Sequence, residues 1–136
     1  MQTPIKMTFY QSEIKRIKSL VYTNQGQLDA VIGTRNYIDN NYEADLNLKV
    51  LSHHRLVSKY HLLRLFKKYY GQTPKQYLTD KRIEKSKEYL IKGMNITETC
   101  FAIGFESPSS FCTLFKSRIG LTPTEFQKRA TFTKSV

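Results

Sequence analysis

A twenty-residue stretch occurs twice in this chain, the second copy beginning 49 positions after the first. Residues 58–77 read SKYHLLRLFKKYYGQTPKQY, and residues 107–126 read SPSSFCTLFKSRIGLTPTEF. Seven positions are identical: Ser58/Ser107, Leu65/Leu114, Phe66/Phe115, Lys67/Lys116, Gly71/Gly120, Thr73/Thr122 and Pro74/Pro123. Leu62/Phe111 and Tyr77/Phe126 extend the match as conservative pairs. An internal repeat narrows the architecture before any single residue does, because both copies must solve the same packing problem. Each copy opens on a hydroxyl suited to cap a helix and closes on a glycine suited to stop one.

Apolar spacing between these signals reads as helix throughout. A short amphipathic helix fits Ser12–Tyr22, with Ile14, Ile17, Leu20 and Val21 on one stripe; Asn24 and Gly26 then break it. The next helix spans about Leu28–Asn41, with Leu28, Val31, Ile32, Arg35 and Ile38 recurring at helical spacing along one stripe. A third starts from an Asn47 cap, reaches Arg55 and buries Leu48 and Leu51. After a turn at Leu56-Val57, Ser58 caps a helix to Tyr70 that buries Leu62, Leu65, Phe66 and Tyr69. Pro74 opens a long helix to Lys92 whose Tyr77, Leu78, Ile83, Tyr89 and Leu90 face inward. The pattern then restarts. Asn95 and Glu98 make a capping-box variant for a helix carrying Ile96, Cys100 and Ile103, and Gly104 turns the chain. Ser107-Pro108 starts a helix burying Phe111, Leu114, Phe115 and Ile119, and Thr122-Pro123 opens a last one to about Arg129. No segment reads as a strand. The expected fold is all-α: two helix-turn-helix subdomains joined by a long linker helix, about seven helices in all. The implied divisions are an N-terminal extension at 1–26, a first subdomain at 27–76, the linker at 77–92, a second subdomain at 93–130 and a polar tail at 131–136.

Charge narrows the partners. Lys plus Arg number 22 against 11 for Asp plus Glu, giving a formal net charge of +11 that favours polyanions, nucleic acid before anionic membrane. No apolar run approaches the roughly 18 residues of a membrane span, and the N-terminus lacks an apolar core followed by a small-residue cleavage site. Cys100 and Cys112 fit no common metal spacing and read as free thiols in a reducing compartment, so the chain is expected to be cytoplasmic. His53, His54 and His61 do not converge on one metal, because adjacent helical residues point about 100° apart. No serine elbow, glycine-rich phosphate loop or paired carboxylates mark a catalytic site. No cofactor, metal, small-molecule site or catalytic residue is expected within this chain.

The second helix of a helix-turn-helix buries one stripe and offers the opposite one to the DNA major groove. In the first repeat that stripe is Tyr60, Leu63, Arg64 and Lys67, at i, i+3, i+4 and i+7; the 49-residue offset places Ser109, Cys112, Thr113 and Lys116 in the second. Tyr60, Leu63, Arg64, Ser109, Cys112 and Thr113 are therefore the candidates for base contact. Arg64 is the strongest of them, since its fork can meet guanine O6 and N7 together. Ser58, Lys59, Lys67, Lys68, Ser107, Ser110 and Lys116 suit phosphate contacts, which position a protein without reading sequence.

These residues carry a resemblance. Ser58–Tyr77 followed by Arg82-Ile83, then ITETCFAIGFESPSSFCTLFKSRIGLTPTEF, resembles the AraC-type family of bacterial transcription regulators over about residues 28–129. The most specific portion holds Gly104-Phe105, the Phe-x-x-x-Phe-Lys core of Phe111, Phe115 and Lys116, and the Gly-x-x-Pro of Gly120 and Pro123. The resemblance implies a sequence-specific regulator binding double-stranded DNA, with two recognition helices in successive major grooves. It also implies transcription activation through RNA polymerase as a partner. Many relatives carry a separate ligand-sensing or dimerisation domain, for which residues 1–26 are too short. The chain is then either a stand-alone regulator or the DNA-binding fragment of a larger ligand-sensing one; a non-specific architectural nucleic-acid binder is the alternative class. Three positions depart from the family pattern: Leu56 where glycine is usual in the turn, Thr99 for an aliphatic residue, and Thr113 where many members carry arginine. Because Ser109, Cys112 and Thr113 are short and neutral, the first subdomain is expected to supply most base selectivity and the second to dock.

Overall fold

The protein is known from a computed structural model that describes residues 8–22, 24–55 and 58–135. These residues form helices α1 (Phe9–Tyr22), α2 (Asn24–Asn40), α3 (Leu48–Arg55), α4 (Lys59–Tyr70), α5 (Pro74–Ile91), α6 (Ile96–Ala102), α7 (Pro108–Ile119) and α8 (Pro123–Ser135). No strand occurs among the described residues, and no helix among them is long and apolar enough to cross a membrane. The chain divides into two compact units. One comprises Met1–Tyr37 and Asn47–Pro74; the other comprises Ile38–Leu46 and Lys75–Val136.

In the first unit α3 packs on α4, and Val31, Leu51, Leu62, Leu65 and Phe66 are buried. Removing such side chains from water is what holds a helix pair together, at about 1.5–3 kcal/mol for each large apolar group. Thr34 is buried too, its Oγ1 donating 2.8 Å to the carbonyl of Ala30, so its own hydroxyl is satisfied. Two expectations fail here. Asn24 and Gly26 do not break the chain but form the first turn of α2, where glycine's poor helix propensity is tolerated and Gln25 donates 3.0 Å to Asp29. Tyr69 is 37% exposed, whereas Tyr70 stacks on Phe66 at 4.8 Å with the Arg35 guanidinium 5.7 Å from its ring. The ring this turn packs on Phe66 is that of Tyr70, and the neighbouring Tyr69 is left partly toward solvent. The Leu56 turn lies outside the described residues, as do the side chains of His53 and His54.

The second unit is built on Ile83, Leu90, Cys100, Ile103, Phe111 and Phe115, all buried. Aromatic rings run through it in sequence, Phe105 to Phe111 and Phe111 to Phe115 at 5.7 Å each, then Phe115 to Phe126 at 5.5 Å. Helix α6 packs on α7, and α7 on α8. Thr99 is fully buried where an aliphatic residue is usual, and its Oγ1 donates 2.8 Å to the Asn95 carbonyl, which makes the hydroxyl tolerable. Segment Ile38–Leu46 is tied into this unit. Arg82 donates to the carbonyls of Tyr42 (2.6 Å) and Ala44 (2.7 Å), and the Tyr77 hydroxyl donates 2.7 Å to Asp39. Burial lowers the Arg82 pKa, with Asp45 and Glu43 acting in the opposite sense. The residues after Arg129 are helical as far as Ser135 rather than a loose polar tail. Thr131 and Thr133 return their hydroxyls to the carbonyls of Gln127 and Arg129, each at 2.9 Å.

Candidate nucleic-acid interface

Helices α4 and α7 are the repeated elements, and the fold builds them alike. Ser58 Oγ accepts from the His61 amide at 3.1 Å; Ser107 Oγ accepts from the Ser110 amide at 3.3 Å. Each satisfies one of the amides that a helix start leaves without an internal partner. Both helices end on a left-handed glycine whose amide reaches back 2.8 Å to a lysine carbonyl, Gly71 to Lys67 and Gly120 to Lys116. The two helices therefore share one register, and residues 49 apart hold equivalent positions.

On α4, Lys59, Tyr60, Arg64, Lys67 and Lys68 are exposed and Leu63 is half-buried. Tyr60 is 67% exposed, with Lys59 Nζ 5.2 Å from its ring centroid. The Arg64 side chain makes no hydrogen bond or ion pair with any described residue, so its five donors are open to an acceptor. The face opposite the buried Leu62, Leu65 and Phe66 is thus aromatic at its start and cationic beyond.

On α7, Ser109, Ser110, Thr113 and Lys116 are exposed, and Ser107 and Cys112 are half-buried. Their chemistry differs from that of α4. Ser107 Oγ donates 2.9 Å to Ser110 Oγ, and Thr113 Oγ1 donates 2.9 Å to the Ser109 carbonyl. Cys112 packs against the cluster that holds Cys100. Burial pushes the Cys100 thiol up, and Cys112 adds to the shift, so Cys100 stays protonated and inert. The structure thus leaves Ser109 and Thr113 outward and turns Cys112 partly into the core. Leu63 is the equivalent residue of α4 and is likewise half-buried. Arg118, also on α7, is held in an ion pair by Asp80.

Ser117 escapes a reading from the sequence alone. With Ser109, Ser110, Thr113 and Leu114 it lines a shallow depression on α7, and it is the counterpart of Lys68 at the 49-residue offset. Applying that offset to Lys68 as well as to Lys67 would have found it.

Charge is split unequally. The first unit holds 11 Lys and Arg against 2 Asp and Glu, net +9; the second holds 11 against 9, net +2.

Comparison with known proteins gives a consistent result. A family model described as a helix-turn-helix domain matches residues 51–129. A helix-turn-helix-type transcriptional regulator in the cgkA 5′ region of Pseudoalteromonas carrageenovora is 35% identical over 92 residues, 68% of this chain and 55% of that protein. The bifunctional transcriptional activator and DNA repair enzyme AdaA of Bacillus subtilis is 36% identical over 93 residues, 68% of this chain and 44% of its own length. The chain spans about half the length of these relatives. Among solved structures, a transcriptional regulator of the AraC-type DNA-binding-domain group from Chromobacterium violaceum aligns with a TM-score of 0.71 at 25% identity, covering 79% of this chain and 96% of that one.

Proposed function

We propose a function from one premise: the chain belongs to the AraC-type family of helix-turn-helix transcription regulators. On that basis it binds double-stranded DNA at specific sequences, with α4 and α7 entering successive major grooves. The observation that carries this reading is the matched pair of capped helices, each with an outward stripe at the same register: Tyr60, Arg64 and Lys67 on one, Ser109, Thr113 and Lys116 on the other. Arg64 and Tyr60 take base edges. Lys59, Lys67, Lys68 and Lys116 take phosphates, and the first turn of each helix adds its own amides. The hydroxyls of Ser58, Ser107 and Ser110 support those turns beside the phosphates. Leu63 and Cys112, half-buried, give only apolar contact at the edge of the stripe.

Activation through RNA polymerase in the cytoplasm follows from what the family does. Both organisations, a regulator complete in itself and the DNA-binding part of a larger one, fit a chain spanning about half of its relatives.

Selecting bound sites from a random DNA pool, then comparing the winner with random DNA at fixed salt, tests the reading. A specific regulator favours its site by roughly 10³ or more. A ratio near one instead identifies an architectural binder that uses the same +11 charge. Within the selected site, Arg64→Ala is expected to relax base preference more than Ser109→Ala combined with Thr113→Ala. The reverse order would overturn the assignment of selectivity to the first repeat.

A further inference from the structure

Arg64 and Thr113 hold the same position in the two repeats, yet their polar atoms are complementary rather than alike. Arg64 is exposed with five donors and no acceptor, and nothing described engages its guanidinium. Thr113 is exposed too, but its one hydroxyl proton is committed to the Ser109 carbonyl, 2.9 Å away. What it can offer a base edge is a lone pair and a methyl group. Ser109 carries an uncommitted hydroxyl that can donate or accept, so it discriminates little. Cys112 is drawn into the packing around Cys100. Selectivity in the second repeat therefore falls to Thr113.

We infer that Thr113 reads an A·T pair, through its methyl group and an acceptor-only oxygen, at the step whose counterpart in the first half-site is a guanine read by Arg64. This rests on the DNA-binding reading above. In the major groove an A·T pair presents the adenine N6 amine and the thymine C5 methyl, which match an acceptor and a methyl. A G·C pair also offers one donor, the cytosine N4 amine, but no methyl group, so the thymine methyl carries the discrimination; guanine's two acceptors are left unmet by a threonine whose proton is already placed. For the hydroxyl to turn and donate to guanine, the bond to the Ser109 carbonyl must break, so one hydrogen bond is lost for each one gained. Arginine at the same register has the opposite preference.

The test uses the full chain and a random DNA pool, with sequencing of the retained sites. The expected result is guanine at one position of one half-site and A·T at the corresponding position of the other. Thr113→Arg should convert the second position to guanine, with a change in preference of about 5- to 150-fold, the range of one bidentate contact. Thr113→Val keeps methyl groups without the hydroxyl and should hold thymine preference within about threefold, whereas Thr113→Ser, lacking the methyl, should lose it. All three changes lie on an exposed position, and helical circular dichroism of each variant controls for folding. Guanine enriched at both half-sites, or a second half-site unmoved by Thr113→Arg, overturns the inference and leaves sequence-specific binding intact. A pool with no enrichment at any position overturns the DNA-binding specificity itself and the inference with it.

Discussion

Gly104 sits where no side chain fits. Its φ is +92°, and a β-carbon there would lie 2.6 Å from the Glu43 carbonyl oxygen. That oxygen is backbone and cannot swing aside as a flexible side chain would. Gly71 has φ +72° but open space around the same position. Gly71→Ala should therefore cost about 1–2 kcal/mol, the strain of a left-handed backbone alone. Gly104→Ala should cost clearly more in urea denaturation, and equal losses would show that the Glu43 contact yields. A second residue gives a pH signature. Burial, then the hydroxyl of Tyr89 at 3.1 Å, pushes the Tyr42 phenol up from 10.0 to about 12. Below pH 10 both folded and unfolded chains hold that proton. Between pH 10 and about 12 only the unfolded chain releases it, so stability drains away across that window. Tyr42→Phe should flatten this part of the stability–pH curve relative to the unchanged protein. At this scale the sequence was partly legible. Arg64 and Tyr60 could be placed outward by counting turns, but Thr113's self-directed hydroxyl could not. A rotamer choice depends on which carbonyl lies within reach, and no spacing rule encodes it.

Helix boundaries were easier to read than helix surroundings. Ser58, Asn95 and Ser107 all cap as their residue types suggest, and Asn95 Oδ1 accepts from the Glu98 amide at 2.8 Å. These signals are local: a short polar side chain, a proline or a glycine acts on its own turn whatever the rest of the chain does. Asn95→Ala should remove about 1 kcal/mol of stability in urea unfolding. A loss below about 0.3 kcal/mol would mean that water caps α6 equally well. Tyr69 and Cys112 were harder, because burial depends on which neighbouring elements pack beside a residue and not on its own helix. The last turns of α8 defeated composition for another reason, since threonines that look like a tail become helical once their hydroxyls bond back to their own helix.

For the molecule as a whole, charge partition decides how binding responds to salt. The first unit has a net charge of +9 and the second +2, and among the described residues three of the second unit's cations are already met, Lys81 by Asp39 at 3.8 Å, Lys85 by Glu88 at 3.3 Å and Arg118 by Asp80. Each phosphate contact contributes about 0.9 to the slope of log affinity against log salt. Replacing Lys67 and Lys68 with glutamine should therefore lower that slope by about 2. Glutamine at Lys85 and Arg118 should leave it nearly unchanged, and equal slopes from the two pairs would refute the partition. The total excess of cations was visible in the sequence. Its division was not, because the second unit draws part of its acid from Ile38–Leu46, far from the remainder in the chain. That detour has a consequence for biosynthesis. The carbonyls that Arg82 grips leave the ribosome some forty residues ahead of it, with the whole of α3 and α4 still to be made in between. A gene truncated to the stretch that the family model matches, from residue 51 onward, would express a C-terminal piece whose Arg82 has lost both of its acceptors.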